Sequence, residues 1–134
     1  MQESMKLALQ DANLNFKDID CIFANANSSK DADLIETNAI KGVFKEHSKK
    51  MPITAIKSII GETFSASGAM STAAAIGSLI RDSIPPTINY KEKDPYCDLD
   101  YVPNESRKQK LNRIMLNTFG PNGANTSLIV GRYK

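Results

Sequence analysis

Lys57-Ser58-Ile59-Ile60-Gly61-Glu62-Thr63-Phe64-Ser65-Ala66-Ser67-Gly68 reads as a strand end, a tight turn and the start of a helix of small residues. Ile53 to Ile56 predicts the strand that leads into it, and Gly61 supplies the turn. The helix then runs to about Arg81, where Pro85-Pro86 prevents it from continuing. Ala69, Ala73, Ala74 and Ala75 leave this helix little bulk, so other backbone elements can approach it closely. A plain buried helix accounts for the same pattern.

Working outward, the chain alternates helices and strands. Met5, Leu9 and Ala12, with Ala8 beside them, have helical spacing between Met1 and Leu14. Cys21-Ile22-Phe23-Ala24 is a short apolar run, consistent with a buried strand. Asn25 to Asp31 is polar and loop-like. From Asp33 a second helix places Ile35, Ala39 and Val43 on one line with Ile40 and Phe44 beside it. Lys45, Lys49 and Lys50 suit its C-terminal end, and Met51-Pro52 stops it. Residues 87 to 109 are polar and carry Pro95 and Pro103, which predicts an extended excursion with little regular structure. Ile114 to Phe119 and Ser127 to Val130 read as two last strands, joined by Gly120-Pro121-Asn122-Gly123 as a hairpin turn.

The order α-β-α-β-α-loop-β-β predicts an α/β fold. Its mixed, mostly parallel sheet carries helices on both faces and ends in an antiparallel hairpin. A unit of this kind usually starts with a strand, and this one starts with a helix. The first strand is therefore expected to be missing, leaving a sheet edge unpaired.

Length and composition exclude several function classes. With 134 residues the chain is long enough for one domain with one core. A net charge of +2 and few aromatics do not suggest nucleic acid or an anionic membrane. The longest apolar run is far short of the roughly 20 residues that span a bilayer. Met1-Gln2-Glu3-Ser4 has no basic region followed by an apolar one, so no signal peptide is expected and the cytoplasm is favoured. Cys21 and Cys97 are too few for a disulfide framework, and both are read as reduced. Cys21 belongs to an apolar run. Cys97 lies among acidic neighbours, unlike the electropositive surroundings of a reactive thiolate. There is no metal-ligand cluster, no phosphate-cradling glycine loop and no Ser-His-Asp set, so no cofactor or metal is expected. His47, near a helix C-terminus, reads as a surface or capping residue. Lys41, Lys45 and Lys49 form an i, i+4 stripe that reads either as a solvated face or as a dock for an acidic partner protein.

Several segments share one further feature. Lys57-Ser58-x-x-Gly61-Glu62 with Ala66 and Gly68 resembles the Lys-Ser-x-x-Gly-His-x-x-x-Ala-x-Gly signature of the β-ketoacyl-acyl carrier protein synthases, condensing enzymes of the thiolase fold. Ile22-Phe23-Ala24-Asn25 resembles the strand entering their Asn-Ala-His-Gly-Thr-Ser-Thr. Asp33-x-x-Glu36-Thr37 resembles the Asp-x-x-Glu that follows. Pro85-Pro86-Thr87-Ile88-Asn89, Cys97-Asp98-Leu99-Asp100-Tyr101-Val102-Pro103 and Asn117-x-Phe119-Gly120 are similar to further segments of the same family, in one register. The resemblance implies that residues 1–134 form a single, incomplete domain, a three-layer thiolase-like half. It corresponds to most of the family's C-terminal half, without the N-terminal half that carries the nucleophilic cysteine.

The resemblance also implies where chemistry would sit. The family's two histidines help to decarboxylate a malonyl-thioester by aiming donors at developing negative charge. Here Asn25 stands at the first position and Glu62 at the second. An Asn amide donates a hydrogen bond but exchanges no proton near neutral pH, and an ionised Glu near a helix start only accepts. No catalytic residue is intact on this reading. Lys57, Glu36 and Asp33 remain, and a Lys57–Glu36 ion pair is expected, either as a relic of the site or as plain structure. Phe119, Gly120, Pro121 and Gly123 occupy the family's substrate-gate loop, with Pro121 where the gating aromatic belongs, and Ser71 replaces an acidic residue. The implied partners are an acyl carrier protein and a catalytically active synthase subunit, in a homo- or heterodimer.

Three functions follow as alternatives. One is a degenerate, chain-length-factor-like portion of a synthase homologue, inactive on its own. Another is a piece of an active condensing acyltransferase with an altered site. A third is a non-enzymatic module that self-associates through its open sheet edge.

Overall fold

A computed structural model describes residues 1–120 and 122–133. Its elements are α1 (Gln2–Asp11), β1 (Cys21–Phe23), α2 (Lys30–Phe44), β2 (Ile53–Thr54), α3 (Lys57–Ile60), α4 (Ser67–Arg81), β3 (Ser83–Ile84), β4 (Arg107–Lys108), β5 (Arg113–Phe119) and β6 (Asn125–Gly131). Short 3-10 turns occupy Phe16–Asp18, Lys45–Lys49 and Phe64–Ala66.

The main sheet has four strands in the order β2-β1-β5-β6. β1 runs parallel to β2 and to β5, whereas β5 and β6 pair antiparallel from Arg113↔Gly131 to Phe119↔Asn125. The mixed, mostly parallel sheet and the closing hairpin match the expected fold class. β2 and β6 are the two edges among the described residues.

Alternation along the central strands splits the core into two layers. Ile22 and Met115 face Met5, Leu9, Ile40, Phe44 and Ile53, beneath α1 and α2. Cys21, Phe23, Ile114 and Leu116 face Ala75 and Leu79 of α4, together with Ile84, Val102 and Leu111. Cys21 is thus a fully buried core residue, and burial pushes its thiol far above the usual range. A three-residue strand with both faces covered has no polar position to spare, which is why Cys21-Ile22-Phe23 is continuously apolar.

Several expected elements are shorter or broken. The strand predicted over Ile53–Ile56 ends at Thr54, because the Ala55 N–H goes to Thr87 Oγ1 (3.1 Å) and the Ser58 hydroxyl donates to the Ala55 carbonyl (2.7 Å). Lys57 therefore starts the one-turn helix α3 rather than ending a strand. The helix expected from Gly61 begins only at Ser67. Gly61 at φ +78° and Phe64 at φ +47° turn the chain through the left-handed region first. α4 stops at Arg81, where Asp82 takes a left-handed conformation and its N–H bonds the Ser78 carbonyl.

The lysine stripe does not form. α2 ends at Phe44, Lys45 lies at φ +50°, and the following residues turn as a 3-10 helix. Lys41 instead pairs with Asp98, and Lys49 with Glu46. His47 tethers this turn, its Nε2 lying 3.0 Å from the Ile19 carbonyl.

The polar excursion is largely without regular structure, as expected, yet it is anchored. Leu99 and Val102 are buried, and the Ile53 N–H donates to the Asp100 carbonyl at 2.8 Å. The small antiparallel pair β3–β4 closes its far end. No described helix is long and apolar enough to cross a membrane.

Candidate functional site

The C-terminal ends of β1 and β5, the N-terminal part of α2, and the turn between α3 and α4 meet around Asn25 and Lys57. Each contributes one element of a buried polar network. β1 ends at Phe23, and the chain turns outward through Asn25 and Ala26, the latter at φ +33°. The two N–H groups exposed by that turn need acceptors. Glu36 of α2 supplies both: Oε1 accepts from Asn25 N at 2.9 Å and Oε2 from Ala26 N at 3.0 Å. Asn117 of β5 donates its Nδ2 to the same Oε1 at 3.1 Å. Glu36 is buried, and burial holds its carboxyl above the ordinary carboxylate value despite these three donors.

Lys57 does not pair with Glu36. The structure corrects that expectation, because the carboxylate is already committed to backbone donors. Instead the Lys57 ammonium donates to Glu62 Oε2 at 2.8 Å and to Asn25 Oδ1 at 3.0 Å. The turn at Gly61 brings Glu62 back over α3, so a residue five positions away becomes the ion-pair partner. Glu62 Oε1 accepts from the Phe64 N–H at 2.9 Å and from the Ser67 hydroxyl at 2.7 Å. It therefore ties the left-handed turn to the start of α4. Its pKa is lowered to about 2, first by the hydrogen bond from Lys57 and then by that from Ser67.

Asn25 is almost fully buried, and its Oδ1 also accepts from the Phe119 N–H at 3.2 Å. The amide oxygen is thus turned inward toward Lys57 and β5, which leaves Nδ2 as its donor. Phe119 and Gly120 close the β5–β6 hairpin with Gly123, whose φ is +79° and whose N–H bonds the Gly120 carbonyl. Of the expected gate loop, Pro121 lies outside the described residues. Ser71 is buried in α4.

Asp33 sits one turn before Glu36, half-buried, and burial raises its carboxyl above the ordinary value. Its Oδ1 is buried without a hydrogen-bond partner. It lines a cavity of about 520 Å³ with Lys57, Glu36, Tyr90, Cys97 and Tyr101. Neither Asn25 nor Glu62 lines this cavity. Lys57, Glu36 and Asp33 face it, whereas Asn25 and Glu62 both bond the Lys57 ammonium and lie outside its lining.

Sequence reasoning missed Asn117 and Ser67 as members of the network. The polar Asn117 inside an otherwise apolar strand was the available signal for the first. Among the described residues there is no group of three or more His, Cys, Asp or Glu placed to hold a metal ion.

What the arrangement can do chemically is limited by protonation. Glu62 is ionised across the neutral range and accepts three hydrogen bonds. Asn25 neither gives up nor takes a proton. Lys57 is the group's only formal positive charge, and Glu62 neutralises it.

Residues 1–91 match the family described as beta-ketoacyl synthase, C-terminal domain. The 3-oxoacyl-(acyl-carrier-protein) synthase 2 of Coxiella burnetii is 38% identical over 128 residues, 96% of this chain and 31% of that protein. Among solved structures, the ishigamide ketosynthase/chain length factor superposes with a TM-score of 0.95 at 33% identity, over 99% of this chain and 32% of that one. A ketosynthase in complex with a type II polyketide synthase acyl-carrier protein superposes at 0.97 and 29% identity, over 99% of this chain and 33% of that one. The chain spans about a third of the length of the proteins it matches. The chain belongs to the beta-ketoacyl synthase family, as a match to its C-terminal domain.

Proposed function

We propose that this chain is the C-terminal portion of a β-ketoacyl-acyl carrier protein synthase homologue whose condensing chemistry is degenerate. It serves as a chain-length-factor-like partner of an active synthase subunit and does not itself decarboxylate malonyl-thioesters. The observation that carries this reading is Glu62. It occupies the position where the family resemblance calls for a proton-exchanging histidine, and it is ionised, paired with Lys57 and bonded to Phe64 N and Ser67 Oγ. An acceptor-only carboxylate repels the enolate or oxyanion that condensation must stabilise. Asn25 at the other position adds a donor but no acid or base.

Two further observations support a partner role. One superposable structure is named as a ketosynthase/chain length factor, and another as a ketosynthase bound to an acyl-carrier protein. Lys57, Glu36 and Asn117 brace the ends of β1 and β5, which supports a scaffolding role for these residues. An acyl carrier protein and a synthase subunit are the partners this reading assigns.

Co-elution tests the proposal. Mixing the chain with an active type II synthase subunit is expected to give a complex and an altered distribution of product lengths. No association with any such subunit overturns it. Malonyl-thioester decarboxylation that is lost on Glu62→Gln would instead mark an active enzyme with altered chemistry.

A further inference from the structure

The polar excursion after Pro86 is pinned at two places and held by charge between them. Tyr90 is clamped to Asn104 in both directions. Its N–H donates to Asn104 Oδ1 at 3.0 Å, and Asn104 Nδ2 donates to its carbonyl at 2.7 Å. At the other end Leu99 is buried, the Asp100 carbonyl accepts from the Ile53 N–H, and the Tyr101 hydroxyl lies 2.6 Å from Thr37 Oγ1 of α2. Residues 91–98 lie between these anchors. None of them is buried, and no backbone hydrogen bond joins them to the rest of the chain. Their tie to it is the ion pair of Asp98 with Lys41 of α2. The tip is internally stiff, because Asp94 Oδ1 accepts from the Tyr96 N–H at 2.8 Å and the Cys97 N–H at 3.3 Å, and Pro95 fixes its own φ.

This segment forms part of the wall of the 520 Å³ cavity. Asp94 and Cys97 line it from the segment, and Asp33, Glu36 and Lys57 from the body. We propose that residues 91–98 are a strap that swings open and shut over this cavity, between the Tyr90–Asn104 clamp and the Leu99 anchor, with the Lys41–Asp98 ion pair as its latch. The inference goes beyond the chain-length-factor reading and does not depend on it.

Two opposed contributions keep the shut and open positions close in free energy. The latch favours the shut one, but its side chains are 35% and 48% exposed, so water and salt screen it. Closure also leaves Asp33 Oδ1 buried with no hydrogen-bond partner, a cost that an opened cavity relieves by admitting water. A segment with little burial and no backbone hydrogen bonds to its surroundings is the part of a fold that opens most readily. Because its tip is stiff, the strap moves as a unit. The latch residue Asp98 is the first one past the Leu99 anchor, next to Cys97 in the cavity wall.

Alkylation of the full chain with iodoacetamide tests the proposal, with mass spectrometry locating the label. The rate at Cys97 reads the open population. Cys21, fully buried, is the internal control and should stay unlabelled. Lys41→Gln and Asp98→Asn, both at partly exposed positions, should each speed Cys97 labelling about two- to fivefold, the effect of removing an exposed ion pair. Salt at about 1 M should speed the natural chain by a similar factor and leave both variants unchanged. A change in thiol electrostatics alone would move the two variants in opposite directions, because one loses a positive neighbour and the other a negative one. The charge swap Lys41→Asp with Asp98→Lys should restore the slow rate. Opposite shifts in the two single variants, or equal rates in the natural chain and both of them, overturn the proposal. So does faster Cys97 labelling accompanied by labelling of Cys21, since global unfolding would then account for both.

Discussion

The Lys57 ammonium lies 2.8 Å from Glu62 Oε2, and only 9% of its side-chain surface is exposed. The lysine is therefore held by a residue of the turn that follows its own helix. Glu62 is about one-third exposed, so its pairing is partly screened by water.

Glu62→Ala should lower stability by about 1 kcal/mol, with solvent screening already allowed for. The loss comes from the Phe64 N–H and Ser67 hydroxyl as much as from Lys57, because both brace the entry to α4. Glu62→Gln, which keeps one acceptor, should cost less. Urea unfolding of the three proteins measures the order.

The same residue sets a pH dependence. Glu62 titrates at about 2 in the folded chain, below the ordinary glutamate value of 4.5. A lowered pKa contributes stability that is fully present above 4.5 and is lost as pH falls through about 2. The stability difference between the natural chain and Glu62→Gln should be constant above that window and shrink within it. A difference that grows toward low pH would contradict the ion pair.

Lys57→Met should cost about 1–3 kcal/mol, since it leaves Asn25 Oδ1 and Glu62 Oε2 without their shared donor. Combined with Glu62→Gln, the two losses should add to less than their sum. Strict additivity in a double-mutant cycle would show that the pair is not coupled.

Glu36→Ala should be the most damaging substitution in the network, at about 2–4 kcal/mol. It strips acceptors from the Asn25 and Ala26 N–H groups and from Asn117, in a buried place. Hydrogen exchange at Asn25 and Ala26 should accelerate selectively. Unchanged protection there would mean that water replaces the carboxylate.

How much of this was legible in the sequence depends on which interactions carry each part. Cys21-Ile22-Phe23 and the run from Ile114 announced themselves because both faces of a central strand are covered. Helix α2 followed from the spacing of Ile35, Ala39 and Val43, and α4 from its run of small residues before Pro85-Pro86. β3 and β4 did not, because a two-residue pair held by Ser83↔Lys108 and Ile84↔Arg107 has no periodicity to read. At the site, Asn25, Lys57, Glu36 and Glu62 come together, but Asn117 and Ser67 were missed and one pairing was wrong. Glu36 was matched to Lys57 by charge, yet the turn at Asn25 and Ala26 presents backbone donors that claim it. Glu62 was expected to sit ionised at a helix start, as an acceptor. It does so through Phe64 and Ser67 while also holding Lys57, which only the left-handed turn at Gly61 makes possible.

The central claim is that an ionised, lysine-paired carboxylate stands where the family resemblance calls for an acid–base group. A carbon-13 NMR titration of the Glu62 carboxyl, assigned with Glu62→Gln, measures this directly. The predicted midpoint is about 2, with no further change through neutral pH. A midpoint near neutral pH would contradict the account, because Glu62 could then exchange a proton as condensation requires, and a midpoint at the ordinary 4.5 would show that Lys57 does not hold it.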